Sequence, residues 1–328
     1  MNRIFIFTAF LSIFISCNST ETIETSEYVG VWIAPAPISE GIFYRPNLIV
    51  DITPDKMTTY EDIFTPTEFI WEEKKSSIIY KNEDGKNRLN ITDNQGDKMK
   101  VTLENGDSLQ FFRLSLAPKS RRANDSFIKD EDLFDFLQSQ TLEVIIPELN
   151  WQYRQLICLP KGELIKYESE MIKDTPQFFV GNWQILIIRD HYFLFLHNLK
   201  DEKPMLIHLE EFSEYNMKGK IAFNNQLHQV SINAIGSEAD LNAIQKDIEG
   251  KWKKPNYVFN SDSTFVEIAE KDTLSGNWQL NSTGEILLLE KNNKTVQFGF
   301  LKKENSKMDM FYIEEFHNEF TLETIEKQ

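Results

Sequence analysis

Five histidines, two cysteines and two Glu-Glu-Phe segments hold the side chains of this 328-residue sequence with the best claim to chemistry. Their spacing limits what they can do. Asp190-His191 with His197 is a local cluster, and on a strand His191, Phe193, Phe195 and His197 would share one side. Imidazoles six residues apart on a straight strand lie ~20 Å apart, too far to hold one ion. The expectation is no metal and no cofactor, with the histidines hydrogen-bonded or solvated. Glu210-Glu211 and Glu314-Glu315 offer paired carboxylates, but adjacent strand residues point to opposite faces, so neither pair forms the facing dyad of a glycoside hydrolase. A member turned inward would want a cationic partner. Cys158, inside the apolar run LICLP, reads as a small buried hydrophobe. No phosphate loop, dinucleotide fingerprint, Gly-x-Ser-x-Gly elbow, His-Glu-x-x-His or Cys-x-x-Cys occurs. The pattern predicts no catalytic residues; the enzyme alternative is a hydrolase-like site assembled from distant loops.

The second cysteine carries the address. Cys17 ends MNRIFIFTAFLSIFISC, in which Arg3 precedes an uncharged run of 13 residues, Ile4 to Ser16. A spanning helix needs ~20 apolar residues, whereas this length fits the core of a secretory signal. Phe14-Ile15-Ser16-Cys17 puts two apolar residues and a small one before the cysteine. This resembles the lipobox of bacterial lipoproteins. The resemblance implies a diacylglyceryl group on Cys17, removal of residues 1–16, and a protein held by lipid in the cell envelope, at the outer membrane. With Cys17 so used, Cys158 has no internal disulfide partner. Residues 17–27 carry three Glu and no Lys or Arg, and read as a solvated leash. Lipid methylenes contribute ~0.8 kcal/mol each, so several chains hold a protein durably without a membrane-binding face on its body.

Charge narrows the partners. The net charge is -16, from 35 Lys plus Arg against 51 Asp plus Glu. Such a body repels phosphate backbones, and the densest basic run, Lys119 to Arg122, is short and close to acids, so nucleic acid is excluded as a partner. The partners expected instead are the membrane, through Cys17, and an envelope protein or an apolar small molecule. The Asn-x-Ser/Thr triplets at Asn90 and Asn281 read as chance matches in an Asn-rich chain.

The elements that must position these residues are short strands. Leu48 to Ile52, Lys98 to Leu103, Leu109 to Phe112, Ile185 to Ile188, Tyr192 to Leu196 and Ile286 to Leu289 are separated by Asn, Asp, Gly, Lys and Pro turns, the grammar of an antiparallel meander. Six tryptophans, Trp32, Trp71, Trp151, Trp183, Trp252 and Trp278, form three pairs spaced 39, 32 and 26 residues apart. Gly181-Asn182-Trp183-Gln184-Ile185 nearly repeats Gly276-Asn277-Trp278-Gln279-Leu280, and Gly30-Val31-Trp32 shares the Gly-x-Trp frame of Gly250-Lys251-Trp252. Trp151 aligns with Trp252 without a gap over the following strands. Indoles bury ~150–250 Å² each, so two per unit are expected to close a small core.

These repeats predict an all-β chain of three tandem small antiparallel sheet or barrel units with short helices between them: 28–115, a linker over 116–128, 129–236 and 237–328. The helices are expected at Glu131–Leu137 and Ser237–Glu249, the second starting with a capping box at Ser237 and Asp240. A Gly-x-Trp opening, a strand, a hairpin like SDSTFVE, a second Gly-x-Trp and further amphipathic strands is similar to lipocalin-like domains of lipoproteins from Bacteroidota. The resemblance implies a small barrel or half-barrel, in some cases with an apolar cavity, and no catalytic residues. Aromatics beyond the tryptophans, Tyr44, Phe64, Phe69, Tyr192, Phe193, Phe195, Tyr257 and Phe259, are the candidate ligand-lining residues of a binding or interaction module. The alternative is a structural or assembly lipoprotein whose units only hold surfaces apart.

Overall fold

The structure is a computed structural model that describes residues 26–328 apart from 36–46, 63–64, 75–76, 83–84, 103–105, 107, 116–129, 159–162, 173–174, 199–203, 214–215, 237–239, 254–255, 269–272, 285, 292–293, 303–306 and 314–319. Cys17, Tyr44, Phe64, Glu314 and Glu315 therefore lie outside the described residues.

Three closed eight-stranded antiparallel barrels follow one another along the chain. The first contains β1 (Gly30–Pro35), β2 (Asn47–Ile52), β3 (Met57–Asp62), β4 (Thr65–Glu73), β5 (Ser77–Asn82), β6 (Gly85–Asn94), β7 (Lys98–Thr102) and β8 (Ser108–Arg113). The helix α1 (Asp130–Ser139) leads into the second, made of β9 (Thr141–Ile146), β10 (Trp151–Cys158), β11 (Glu163–Ile172), β12 (Thr175–Ile188), β13 (His191–Asn198), β14 (Met205–Phe212), β15 (Asn216–Phe223) and β16 (Gln226–Ile235). The helix α2 (Leu241–Ile248) leads into the third, made of β17 (Gly250–Lys253), β18 (Asn256–Phe259), β19 (Thr264–Ile268), β20 (Thr273–Leu280), β21 (Ile286–Lys291), β22 (Lys294–Lys302), β23 (Lys307–Ile313) and β24 (Phe320–Lys327).

Each barrel closes by pairing its first strand with its last, which leaves no open edge for another chain to extend. The closing contacts repeat: Trp32 lies opposite Arg113 and Trp252 opposite Lys327. The Arg113 guanidinium sits 5.6 Å from the centre of the Trp32 ring. It also donates to the Val29 carbonyl, and Lys327 Nζ donates to the Asp247 carbonyl.

The indoles repeat as well. Trp32 Nε1 donates to the Tyr28 carbonyl at 2.8 Å and Trp252 Nε1 to the Ile248 carbonyl at 2.7 Å, in both cases four residues back. Trp71 Nε1 donates to the Thr53 carbonyl at 2.8 Å and Trp278 Nε1 to the Asn260 carbonyl at 3.1 Å, in both cases eighteen residues back. Both rings of a pair thus sit at the end where the first strand begins, and each ties a strand to the segment beneath it. Gly30 and Gly250 start these strands with φ of 155° and 119°, backbone that a side chain would strain.

The second barrel departs from the alignment. Trp151 opens β10, the second strand, and not β9, so it is not the counterpart of Trp252. It lies half-buried against the core, edge-on to Phe223 at 4.9 Å. The first strand carries no Trp, and α1 supplies the missing bulk: Leu133, Phe136 and Leu137 join a core containing Trp183. Trp183 itself sits on the fourth strand, as do Trp71 and Trp278. The start of α2 also differs from expectation. Its cap is Asp240, which accepts from the Asn242 and Ala243 amides, while Ser237 lies outside the described residues.

Candidate functional site

The predicted lining residues do not meet at one place. Tyr257 and Phe259 alternate onto the inner wall of the third barrel, where they are 0% and 1% exposed and stack at 5.6 Å. With Phe265, Trp252 and Trp278 they fill that core. Phe193 and Phe195 point out of the second barrel, while their neighbour Tyr192 points in. Alternation alone forces this split, so one strand cannot offer all three rings to one ligand.

The inner wall of the first barrel is less filled than that of the third. Leu48, Phe69, Tyr80 and Leu89 lie only half-buried on it, with Phe69 and Tyr80 edge-to-face at 5.0 Å. Thr59 lies in the same barrel, and its buried hydroxyl has no hydrogen-bond partner. Val50, opposite Thr59 on β2, belongs to the same core, which places Thr59 on the inner wall. On its other side Thr59 faces Thr67, so β2, β3 and β4 bring a hydroxyl and apolar rings onto one surface. Register sets the indoles beside this wall: Trp71 lies opposite Tyr80, and Trp32 opposite Val50, the residue that Thr59 faces.

A second cluster sits between the first two barrels. The outer faces of β1, β2 and β8 contribute Val31, Ile33, Ile49 and Phe112, joined by Leu114 just after β8. Against them pack Ile188, Phe193, Leu206 and Ala222 of the second barrel, and Tyr60, Leu186, Phe195 and Leu227 complete the seam. Polar groups cross it. Arg189 reaches Asp51 with Nη2 to Oδ1 at 2.6 Å and also donates to the Ile52 carbonyl at 3.1 Å. Asn47 Nδ2 donates to the Ala222 carbonyl at 2.8 Å. Burial pushes the Asp51 carboxyl above its ordinary range, and the Arg189 charge works against that shift.

His191 and His208 stand on the seam side of the second barrel, Nδ1 to Nε2 at 3.0 Å, and are 4% and 1% exposed. Along the sequence His191 clusters with His197, too far away on the same strand to act with it. The partner is across the hairpin, because β13 and β14 put Phe193 opposite His208 and so bring His191 diagonal to it. Burial lowers both histidines; for His208, His191 and Lys220 lower it further, to about 3. The pair is therefore neutral at physiological pH, one ring donating and the other accepting.

Other candidates are placed simply. Glu210 pairs with Lys220 at 2.6 Å and Glu211 with Lys218 at 2.9 Å; a register shift between Leu209 and Glu211 turns both carboxylates to the outer face, with Leu209 and Phe212 on the core side, so the alternation expected of adjacent strand residues does not hold here. Cys158 is buried, and desolvation raises its thiol far above the usual range, which keeps it from acting as a nucleophile. Asn281 is buried, its amide donating to Thr141 and Thr283 hydroxyls, so that triplet is part of the contact between the second and third barrels. Among the described residues no group of three or more His, Cys, Asp or Glu is placed to hold a metal ion.

The chain is thus a string of three closed up-and-down barrels. No protein-family model matches it, and no curated protein does. Among solved structures it is similar to the isotype 1 transferrin binding protein B from serogroup B Neisseria meningitidis, at 8% identity and a TM-score of 0.16 over 86% of this chain and 63% of that one. Intact Ap-TbpB, with its N and C lobes, is similar at 7% identity and a TM-score of 0.13 over 89% of this chain and 68% of that one. The chain thus spans 63% of the length of the meningococcal protein. Superpositions this loose leave fold and function to be argued from the chain's own residues.

Proposed function

We propose that the protein is a lipid-anchored binding module of the bacterial cell envelope, without catalytic activity, in which the first barrel takes a small apolar molecule. The observation that supports this reading is the inner wall of that barrel: half-buried Leu48, Phe69, Tyr80 and Leu89 beside the unpartnered Thr59 hydroxyl. Pockets of this make-up, mostly apolar with one or two polar groups, fix the orientation of a ligand while burial supplies the affinity. An aliphatic or aromatic body with a single hydroxyl or carbonyl matches it. The third barrel, filled with rings, serves as spacer and support. The tether rests on the Phe14-Ile15-Ser16-Cys17 sequence, and the outer membrane is its expected address. A structural or assembly role is the second reading, favoured by the wide apolar seam that fixes the first two barrels to each other.

Mass spectrometry of the full chain extracted from the producing cell tests both parts. The expected mass lacks Met1 to Ser16, carries a diacylglyceryl group on Cys17, and under native conditions carries one further small molecule. Phe69→Arg should abolish that added mass while leaving the lipid. An unmodified Cys17 would end the tether reading. A bare native mass, unchanged on adding a fluorescent fatty acid as probe, would favour the structural reading.

A further inference from the structure

We propose that the seam between the first and second barrels is an acid-sensitive joint: protonation of the His191–His208 pair separates the two barrels while each stays folded. This goes beyond the binding role, which depends on the inside of the first barrel and not on its outer wall.

The geometry carries the inference. The two imidazoles touch each other at 3.0 Å and are almost wholly enclosed. Phe193, whose ring is 5.2 Å from that of His208, belongs to the seam, so the pair lies at the edge of its apolar layer. His208 Nδ1 is buried and has no hydrogen-bond partner. A first proton makes the donating ring an imidazolium, a second turns the accepting nitrogen into a donor facing another donor, and in either case the new buried charge needs water or an anion.

The surrounding charges do not supply one. Arg189 at the end of the β12–β13 hairpin and Lys220 on β15 both oppose protonation of the pair. The carboxylates near them are engaged: Asp51 of β2 with Arg189, and Glu210 of β14 with Lys220. Asp190 favours a charged His191 but is exposed, where water screens it. Tyr60 of β3 flanks the seam from the first barrel and stays neutral, its hydroxyl raised by burial and by Asp51. Hydration of the pair is thus the remaining remedy, and it requires the seam to part.

The direction with pH follows from the lowered histidines. Their neutral form contributes fully to the closed seam above the ordinary value of 6.5, and this contribution is lost as pH falls toward about 3. Asp51 shifts the other way, so it does not mimic the effect in this window.

The test measures the distance between spin labels at Lys100→Cys and Gln229→Cys, one in each barrel, in the full chain from pH 7.5 to pH 4, with circular dichroism alongside. The expected result is one short distance at neutral pH, a longer and broader distribution below pH 6, and an unchanged β signal. Adding His191→Gln and His208→Gln should shift the opening down by at least one pH unit. Histidine ring NMR of the unlabelled protein provides the reading if that variant misfolds: two rings that stay neutral until the distance changes support the joint. Rings that titrate near pH 6.5 with no change in distance overturn it, as does a distance that stays constant to pH 4. Opening at the same pH with and without the two histidines overturns it too.

Discussion

Trp252 offers the most direct test of how these barrels are sealed. Its ring is 2% exposed, edge-on to Phe259 at 6.3 Å, and its Nε1 donates to the Ile248 carbonyl at 2.7 Å. That carbonyl belongs to the last turn of α2, where a helix leaves four acceptors without internal partners. The indole therefore acts as a side-chain cap, from the barrel, on a helix of eight residues too short to persist alone. Trp252→Phe keeps most of the apolar contact but leaves the carbonyl unpaired in a buried site, a cost of about 1–3 kcal/mol. At about 1.4 kcal/mol per factor of ten, amide exchange across residues 241–248 should quicken by roughly 5- to 150-fold. Trp252→Ala removes the ring as well and should cost about 3–5 kcal/mol, felt through the whole third barrel. Hydrogen exchange read peptide by peptide separates these outcomes, with the first barrel as internal control. Unchanged protection of α2 in Trp252→Phe, or equal losses in the first barrel, would refute the capping argument.

Two further outcomes follow from the same packing. A methyl group at Gly276 would lie 2.0 Å from the Glu290 carbonyl oxygen, backbone that cannot swing aside, so Gly276→Ala should cost about 3 kcal/mol in denaturant unfolding; Gly96→Ala, with open space but φ of 81°, should cost about 1–2 kcal/mol. Asp51→Asn breaks the ion pair across the seam yet should change stability by less than about 1 kcal/mol at pH 7, because burial already disfavours the ionised carboxyl and Arg189 keeps access to water. A loss above about 3 kcal/mol in that variant would mean the pair, and not the apolar layer, holds the seam.

Much of the fold was legible because strand alternation and turn residues speak locally. Gly-x-Trp at 30–32 and 250–252 marks a strand entry in both barrels, and Gly-Asn-Trp at 181–183 and 276–278 marks two fourth strands. Trp151 misled because an indole before a strand looks the same whether the strand is first or second; the bulk at the first position of that barrel comes from α1, which no alignment on tryptophan can see. The seam was written in the sequence but is hard to read. Val31 to Ala34 and Met205 to Leu209 are apolar or buried at every position, the mark of strands covered on both faces, whereas Met99 and Val101 of β7 alternate with exposed lysines as one-sided strands do. The His191–His208 contact could not be found along one strand, because it depends on hairpin register, which only the pairing of β13 with β14 sets.

The division of labour among the barrels has a physical logic. All three are stoppered at the end where the first strand begins, by Tyr28, by α1 or by α2, each contributing a residue to the core above it. A ligand of the proposed kind would enter from the far end and would need inner-wall surface that the described side chains leave uncovered. Tyr257, Phe259 and Phe265 stack across the third barrel and use that surface up. In the first barrel the corresponding strands, β2 and β3, bring Val50, Ile52, Met57 and Thr59 to the interior. Register matches Val50, Ile52 and Met57 to Tyr257, Phe259 and Phe265, and Thr59 to Glu267, so three rings give way to aliphatic chains and a carboxylate to a hydroxyl, which lowers the side-chain volume over the same wall while leaving the closing indoles in place. On the proposed function, the same repeat yields a solid support from one set of inward residues and a receptive wall from another, with the indole of the first strand kept in both.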